Sequence, residues 1–234
     1  MTVEISVSFL GPFSLALCTA AIAYLLGCIN GSILISKCVF RDDIRVHGSG
    51  NAGLTNFYRT YGTKGVVGVL ACDILKAVLA AAIGGVLFGS EINAFAVNLI
   101  FSVTQMQLVM FGKLWATIFV LLGHMYPVTF KFKGGKGVLS GVSALLLVDW
   151  RIALIALGVF LILVLLTRYV SLGSVGAALT FAIGLWCFYH NPILECLGAV
   201  SSGLVIYAHR ANISRLIHGK ENKFSLHRKE DGGK

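Results

Sequence analysis

GVVGVLACDILKAVLAAAIGGVLF, residues 65–88, is the stretch of sequence that decides the fold. It is long enough to cross a membrane, because a spanning helix needs about 20 mostly apolar residues. Asp73 and Lys76 lie three positions apart within it and therefore share one face of a helix. Charges inside a span are costly and are usually paired. The stretch predicts a transmembrane helix with a neutralised Asp73–Lys76 pair at its cytoplasmic end.

The whole chain has the composition of a membrane protein. Of its 234 residues 57% are hydrophobic and 12% are charged, whereas soluble domains carry about 25% charged residues. This composition excludes a disordered chain, a secreted disulfide scaffold and an ordinary soluble enzyme. The six cysteines form no C-x-x-C pair, which favours buried thiols over disulfides or a metal site. We therefore expect a single all-α integral membrane domain over residues 1–234.

Eight apolar segments are candidates for membrane helices. They are Ile5–Ser36, Gly65–Phe88, Ile92–Gly112, Leu114–Phe130, Gly137–Val148, Ile152–Thr167, Tyr169–Tyr189 and Ile193–Ala208. Lys and Arg collect on the cytoplasmic side of membrane proteins. Most of the 19 basic residues fall on one side only if Ile92–Gly112 does not cross. The sequence thus predicts a polytopic bundle of about seven transmembrane helices, with the N-terminus outside and the C-terminus cytoplasmic.

The first polar stretch, residues 47–59, reads HGSGNAGLTNFYR and has glycines in G-x-G-x-x-G spacing. No strand pattern precedes it, so we reject a dinucleotide fold. Glycines let backbone N–H groups turn inward to form a nest for an anion. Further donors come from Ser49, Asn51, Thr55, Asn56 and Arg59. The alternative, an exposed glycine turn, is about equally consistent with this stretch alone.

The second polar stretch, residues 123–137, reads GHMYPVTFKFKGGKG and places Lys133 and Lys136 among three glycines. It is not a nucleotide P-loop, which requires Ser or Thr where Gly137 stands. Glycine donors and a lysine at a helix start nevertheless suit a phosphate group. The alternative is a basic anchor at the membrane surface, which explains the lysines but not the interleaved glycines.

The third polar stretch, HRANISRLIHGKENK over residues 209–223, opens a basic cytoplasmic C-terminal tail that we assign to residues 209–234. His209 and Asn212 are three positions apart and so share a helix face. The alternative is a basic amphipathic tail that lies on anionic lipid. For this segment taken alone, the lipid-binding interpretation is favoured.

Taken together, the three stretches resemble the bacterial acyl-phosphate:glycerol-3-phosphate acyltransferases, which are integral membrane enzymes of phospholipid synthesis. The resemblance covers nearly the whole chain in order. Cys28 and Asn30 depart from the Ser and Pro that are typical of the family. The shared motifs are Tyr24-Leu-Leu-Gly27, Asp43-Ile-Arg45, Gly48-Ser-Gly-Asn-Ala-Gly53, Thr55-Asn56, Gly123-His124, Phe132-Lys-Gly-Gly-Lys-Gly-Val138 and His209-Arg-Ala-Asn-Ile-Ser-Arg-Leu-Ile-His-Gly-Lys-Glu221.

The resemblance implies transfer of a fatty acyl group from acyl phosphate to the 1-hydroxyl of glycerol-3-phosphate, which gives lysophosphatidic acid and inorganic phosphate. It implies no covalent acyl-enzyme, because the leaving phosphate can take the hydroxyl proton itself. Acyl phosphate is already activated, so no metal or other cofactor is expected. The rival hypothesis is a membrane transporter for a phosphorylated solute, which would need a polar path through the bilayer. A noncatalytic lipid-binding scaffold is a third possibility.

The resemblance also implies roles for individual residues. Ser49, His209 and Asn212 are the predicted catalytic residues: Ser49 acts on the acyl phosphate, and the other two orient the hydroxyl or stabilise developing charge. The predicted substrate-binding residues are Gly48, Gly50, Asn51, Thr55, Asn56, Arg59, Lys133, Gly134, Gly135, Lys136 and Gly137.

The expected setting follows from the same resemblance. The protein should be a multi-pass protein of the bacterial cytoplasmic (inner) membrane, with its active site facing the cytoplasm. Its partners should be acyl phosphate, glycerol-3-phosphate and membrane lipid, with a contact to the enzyme that produces acyl phosphate as a further candidate. Nucleic acid is not expected as a partner, and the sequence does not determine the oligomeric state.

Overall fold

A computed structural model describes residues 2–90 and 104–224, and all regular structure in those ranges is helical. Of two 3₁₀ turns, Ile44–Val46 directly precedes the first polar stretch and Val128–Phe130 lies in the second. The α-helices are α1 (Thr2–Gly27), α2 (Gly31–Phe40), α3 (Leu54–Tyr61), α4 (Val66–Phe88), α5 (Gln105–Met125), α6 (Val138–Val148), α7 (Trp150–Thr167), α8 (Val170–Tyr189), α9 (Pro192–Ala208) and α10 (Arg210–Ile217). The predicted all-α fold is confirmed.

Several of these helices are long and apolar enough to cross a membrane. Five candidate spans are Phe13–Phe40, Val66–Phe88, Gln105–Phe130, Trp150–Thr167 and Val170–Tyr189. A sixth arises if α9 and α10, which are bent by 60° at their junction, are counted as one. Helix α6 is apolar but has only 11 residues, or about 16 Å of length. The protein is thus a multi-pass helical bundle, and the count of seven crossings stays a prediction.

The predicted span Ile5–Ser36 contains a break that the sequence did not reveal: α1 ends at Gly27 and α2 begins at Gly31, although both contribute to one candidate span, Phe13–Phe40. The side chain of Asn30 accepts a hydrogen bond from the N–H of Ile33 at 3.0 Å and so caps the start of α2. Its amide also donates to the carbonyl of Ala52 at 3.1 Å, in the first polar stretch. An uncharged run cannot reveal such a break, since the second partner is 22 residues away.

The predicted division between Ile92–Gly112 and Leu114–Phe130 is also wrong. Helix α5 runs through Lys113 without interruption, from a capping box at Thr104 to Met125. Lys113 is tolerated inside the helix because its ammonium donates to the carbonyl of Leu147 at 2.5 Å. Residues 91–103 lie outside the described ranges, so the expectation that this region does not cross is untested there. The same holds for tail residues 225–234.

Small residues let the central helices approach closely. Helix α5 packs against both α1 and α4, while α7 packs against α8. A Cβ atom added to Gly27 would lie 2.9 Å from Cα of Gly123, and one added to Gly84 would lie 2.8 Å from Cβ of Ala116. In membranes such contacts replace the hydrophobic effect as the source of helix association. The packing leaves the three polar stretches together at one end of the bundle.

Candidate active site

One cavity of about 520 Å³ is shared by all three polar stretches. Its polar lining comes from the first stretch, from the loop before α6 and from the segment after α9. These polar-stretch residues are Ser49, Asn51, Thr55, Asn56, Arg59, Lys136, Gly137, His209, Asn212, Arg215, Glu221 and Asn222. Ser49, Lys136 and His209 therefore face a common space although more than seventy residues separate each from the next. The other predicted site residues, which are Gly48, Gly50, Lys133, Gly134 and Gly135, lie in the same loops but outside the lining.

Asn56 organises the first polar stretch from within. Its buried amide donates to the carbonyls of Ile44, His47 and Asn51 at 3.0–3.3 Å, and its oxygen accepts from the N–H of Ser49 at 3.1 Å. The side chain of Asn56 thus forms hydrogen bonds with main-chain groups of four residues. This network fixes the position from which Ser49 reaches the cavity.

Two glycines of this loop have backbone conformations that other residues rarely adopt. Gly48 and Gly50 have φ angles of +54° and +69°, in the left-handed region. Gly48 also passes close to the Asn56 side chain, where a Cβ atom would collide. These glycines let the loop turn around Asn56, which explains the glycine pattern without a dinucleotide.

The second polar stretch is held by main-chain hydrogen bonds. The N–H groups of Gly134 and Gly135 donate to the carbonyls of Met125 and His124, each at 3.1 Å. A Cβ atom on Gly135 would lie 2.6 Å from the carbonyl oxygen of Ala52. Gly134 and Gly135 are therefore needed for close packing, and their N–H groups are already engaged. Lys136 and Gly137, the next residues, are the ones that line the cavity.

Lys136 is the lysine of this loop that points into the cavity, whereas Lys133 is exposed to solvent. Its ammonium donates a short hydrogen bond to the side-chain oxygen of Asn212. Burial lowers the pKa of Lys136 to about 8; Glu221 opposes the shift, and the nearby Arg215 and Arg59 add to it. The site thus concentrates positive charge in a partly desolvated space, as a phosphate-binding site requires.

Glu221 completes the network behind Lys136. Its carboxylate accepts from the Asn212 amide, the Ser171 hydroxyl and the Arg215 guanidinium, each at 2.7 Å. Although burial raises it, these hydrogen bonds hold the pKa of Glu221 below its usual value. Glu221 therefore stays ionised and fixes the amide of Asn212, whose oxygen is left to face Lys136.

His209 sits at the junction of α9 and α10 and is buried. Its Nδ1 lies 2.8 Å from the carbonyl oxygen of Val205, which can only accept. Nδ1 therefore carries the proton, and in the neutral ring Nε2 is left as an acceptor. Because His209 and Asn212 both line the cavity, an acceptor and an amide stand side by side there.

Beneath these loops the predicted Asp73–Lys76 pair is confirmed and has a third member. The Lys76 ammonium lies 2.7 Å from Asp73 and 2.8 Å from Nδ1 of His124, and all three side chains are buried. Lys76 also donates to the carbonyl of Ile29 at 2.6 Å, at the break between α1 and α2. The N–H of Gly31 donates to Asp73 at 3.2 Å. This cluster, Asp73–Lys76–His124, ties together the helices on which the polar loops rest.

The opposite part of the cavity is apolar. It lies among α6, α7 and α8 and is lined by Val138, Leu139, Val142, Leu157, Phe160 and Val170. The cavity thus has a basic end and an apolar end, which suits a molecule with an anionic head and a hydrocarbon tail. Within the described ranges, no group of three or more His, Cys, Asp or Glu side chains is arranged to hold a metal ion.

The sequence was compared with known protein families and with curated proteins. The family model described as "Glycerol-3-phosphate acyltransferase" matches residues 17–219. The chain belongs to the glycerol-3-phosphate acyltransferase family. The enzyme of that name from Thermoanaerobacter pseudethanolicus is 38% identical over 208 residues, covering 89% of this chain and 95% of the relative. The one from Finegoldia magna is 40% identical over 207 residues, covering 86% and 92%.

Solved structures of the glycerol-3-phosphate acyltransferase family agree in fold. The crystal structure of PlsY (YgiH), an integral membrane glycerol 3-phosphate acyltransferase in its glycerol 3-phosphate form, matches with a TM-score of 0.74 at 34% identity. The match covers 90% of this chain and 96% of that chain. The lysophosphatidic acid form matches with a TM-score of 0.72 at 33% identity and the same coverage. This chain is accordingly a membrane acyltransferase of phospholipid synthesis.

Three residues that line the cavity were not predicted from the sequence as site residues. Ser171, Arg215 and Glu221 line the cavity and hold Asn212 in place. A signal for Glu221 existed, since it is the single acidic residue within the basic stretch 209–223. Ser171 had no such signal, because it is one of many hydroxyl residues in apolar helices.

Proposed function

We propose that this acyltransferase transfers a fatty acyl group from acyl phosphate to the 1-hydroxyl of glycerol-3-phosphate. The observation that carries the proposal is the single cavity with a basic end and an apolar end. Both substrates are phosphate compounds, and acyl phosphate also has a hydrocarbon tail. The names of the relatives, and the glycerol 3-phosphate and lysophosphatidic acid forms of the matching structures, support the acceptor and the product.

The charges at the polar end favour two anions. Arg59, Lys136 and Arg215 contribute positive charge, and the carboxylate of Glu221 forms an ion pair with Arg215. Asp73 also borders the cavity, but Lys76 neutralises it. We assign the phosphate of glycerol-3-phosphate to Lys136, with help from Arg59 and Asn212. In the resting site Lys136 is held by the neutral oxygen of Asn212, which a dianionic phosphate readily outcompetes.

The acyl phosphate is assigned to Ser49 and Asn51, with its tail between α6, α7 and α8. The hydroxyl of Ser49 polarises the acyl carbonyl and stabilises the charge that develops on its oxygen in the transition state. Preorganised donors of this kind commonly provide the largest catalytic effect. The network around Asn56 keeps the Ser49 segment in place, so that little reorganisation is required during the reaction.

The acyl transfer itself requires no covalent intermediate on the protein. The 1-hydroxyl oxygen attacks the acyl carbon, a new ester C–O bond forms and the bond from that carbon to the phosphate oxygen breaks. Inorganic phosphate leaves and accepts the hydroxyl proton. Nε2 of His209 accepts a hydrogen bond from the attacking hydroxyl and orients it, while Asn212 holds the acceptor substrate.

The location of basic side chains supports the proposed membrane orientation. Arg59 and Arg215 line the cavity, and Arg45 and Lys133 lie in or next to the polar stretches that contribute to it. By the positive-inside tendency this end of the bundle faces the cytoplasm. The protein would thus lie in the bacterial inner membrane with seven crossings, of which α6 is the short one, and with its N-terminus outside.

The test is an assay of the purified chain with labelled glycerol-3-phosphate and three donors: acyl phosphate, acyl-CoA and acyl carrier protein. Lysophosphatidic acid should form with acyl phosphate alone, and mass spectrometry of protein quenched with that donor should detect no added acyl group. Product from acyl-CoA alone would refute the donor assignment. An acyl ester trapped on Ser49 would refute direct transfer.

A further inference from the structure

Lys113 is a charged residue whose position the proposed reaction does not explain. It lies in the N-terminal half of α5, eleven residues before His124, which borders the active-site cavity near the C-terminal end of the same helix. Its ammonium donates to the carbonyl of Leu147, in the last turn of α6. The turn that follows contains Asp149 and Arg151, so the ammonium is at the level where the bundle becomes polar again.

An open groove of about 500 Å³ lies beside Lys113. Its floor is formed by Ala82, Gly85 and Val86 of α4 and by Gly89, which follows the helix. The lysine stem crosses α4 closely at Gly85: a Cβ atom there would lie 3.1 Å from both Cγ and Cε of Lys113. The groove is apolar apart from the ammonium, which lies at its edge.

The ammonium has more donor capacity than this contact uses. A lysine ammonium has three N–H donors, and one of them is directed at Leu147. Among the residues that the structure describes, no carboxylate forms an ion pair with Lys113. Ionised side chains in spanning helices are expensive unless they are paired or face a polar ligand. A single cation beside an apolar groove is thus suited to an anion that carries hydrocarbon.

We propose that this groove binds an anionic phospholipid of the surrounding bilayer, with the lipid phosphate on Lys113 and an acyl chain against α4. A lipid is favoured over free phosphate because the described residues that line the rest of the groove contribute apolar side chains or glycine and no second charged group. The site is separate from the active-site cavity, so the proposal does not depend on the proposed function.

Native mass spectrometry of the full chain, released from detergent micelles, tests the proposal. Phosphatidylglycerol and phosphatidylcholine with identical acyl chains are compared at equal concentration. The unchanged protein should hold one phosphatidylglycerol at least about fivefold more tightly than phosphatidylcholine. Lys113→Met should remove this preference. Ala82→Phe, which fills the groove and keeps the charge, should weaken binding of both lipids.

Lys64→Met is the matched control, because Lys64 is exposed in a loop and lies outside the groove. It should bind both lipids like the unchanged protein, and all three variants should keep acyltransferase activity. Undiminished phosphatidylglycerol preference in Lys113→Met would overturn the proposal. Release of the lipid by millimolar inorganic phosphate would identify a free-phosphate site instead. A preference that emerges only in Glu91→Gln would make Glu91 the partner of Lys113 and would also overturn it.

Discussion

In two polar networks of the protein, a lysine is linked to a carboxylate in different ways. In the Asp73–Lys76–His124 cluster the ammonium contacts the carboxylate directly, at 2.7 Å. In the cavity, the amide of Asn212 stands between Lys136 and Glu221. The first arrangement cancels the charge of its lysine and leaves nothing for a ligand. The second holds a lysine in position while most of its charge remains available to an anion.

Loss of Lys76 should have the largest effect. Lys76→Met would leave Asp73 buried without its counter-charge, which costs about 3–5 kcal/mol. We expect this loss in the free energy of unfolding, measured in detergent by denaturant titration. Asp73→Asn combined with Lys76→Met should recover most of it, because no isolated charge then remains. A loss below about 1 kcal/mol in Lys76→Met would show that the direct pair is not what holds the fold.

Loss of Lys136 should act on catalysis instead of stability. Lys136→Met removes the cation that we assign to the acceptor phosphate, so kcat/KM for glycerol-3-phosphate should fall about 10²–10³-fold. At pH 7 the free energy of unfolding should not fall, because the variant loses a charge whose burial opposes folding. Lys131→Met is the matched control, since Lys131 is an exposed lysine of the same loop. Equal kinetics in both variants would remove Lys136 from the site.

Replacing the amide between Lys136 and Glu221 by a carboxylate should give Lys136 a direct ion pair like that of Lys76. Asn212→Asp would place a carboxylate directly on Lys136 and would replace the amide that donates to Glu221. We expect kcat/KM to fall about 10- to 100-fold, because the phosphate then meets a cancelled charge and two neighbouring carboxylates. Asn222→Asp adds the same charge to the cavity lining, whereas the hydrogen-bond partner of Lys136 is Asn212. The Asn222 variant should cost clearly less. Similar losses in both variants would mean that total charge, not the Asn212 position, is what matters.

The pH dependence of kcat/KM should be the smallest of these effects, and its direction follows from the pKa of Lys136. Lys136 has a pKa of about 8, so its charge disappears above that pH. Hence kcat/KM for glycerol-3-phosphate should decline about tenfold per pH unit above 8. Lys136→Arg should abolish this decline, because arginine stays protonated. A decline that persists unchanged in Lys136→Arg would assign it to another group.

The free energy of unfolding should change with pH in the opposite direction to kcat/KM. Burial lowers the pKa of Lys136 in the folded protein below its ordinary value of 10.5, so the unfolded chain binds more protons between these two values. The contribution of Lys136 to the free energy of unfolding therefore increases as pH rises from about 8 to 10.5. Subtracting the same titration of Lys136→Met isolates this contribution.

Much of the helical frame could be predicted from apolar runs, but its breaks could not. The chain breaks at Asn30 because its side chain caps α2 and bonds to Ala52, a partner that only the fold supplies. The opposite error at Lys113 has the same origin, since a carbonyl from α6 accepts a hydrogen bond from this ammonium within a continuous helix. Local composition therefore placed the helices and misjudged two of their boundaries.

The cavity could be predicted in outline because glycines and basic residues cluster in three stretches. The sequence did not distinguish residues that face the cavity from residues that build its walls. Gly134 and Gly135 are engaged in packing and main-chain hydrogen bonds, whereas Lys136 faces inward. Glu221 was quoted as part of a motif, but its link to Asn212 depends on how the segment after α10 folds back.

The shortness of α6 determines the depth at which the proposed chemistry takes place. The helix reaches about 16 Å, roughly half of a hydrocarbon core about 30 Å thick. With the polar turn of Asp149 placed at one membrane surface, the end next to Lys136 would lie below the headgroups of the facing leaflet. A small hydrophilic acceptor would therefore descend to a lipid-bound donor. The new single-chain lipid would be formed already among its neighbours, with no need to be carried through water.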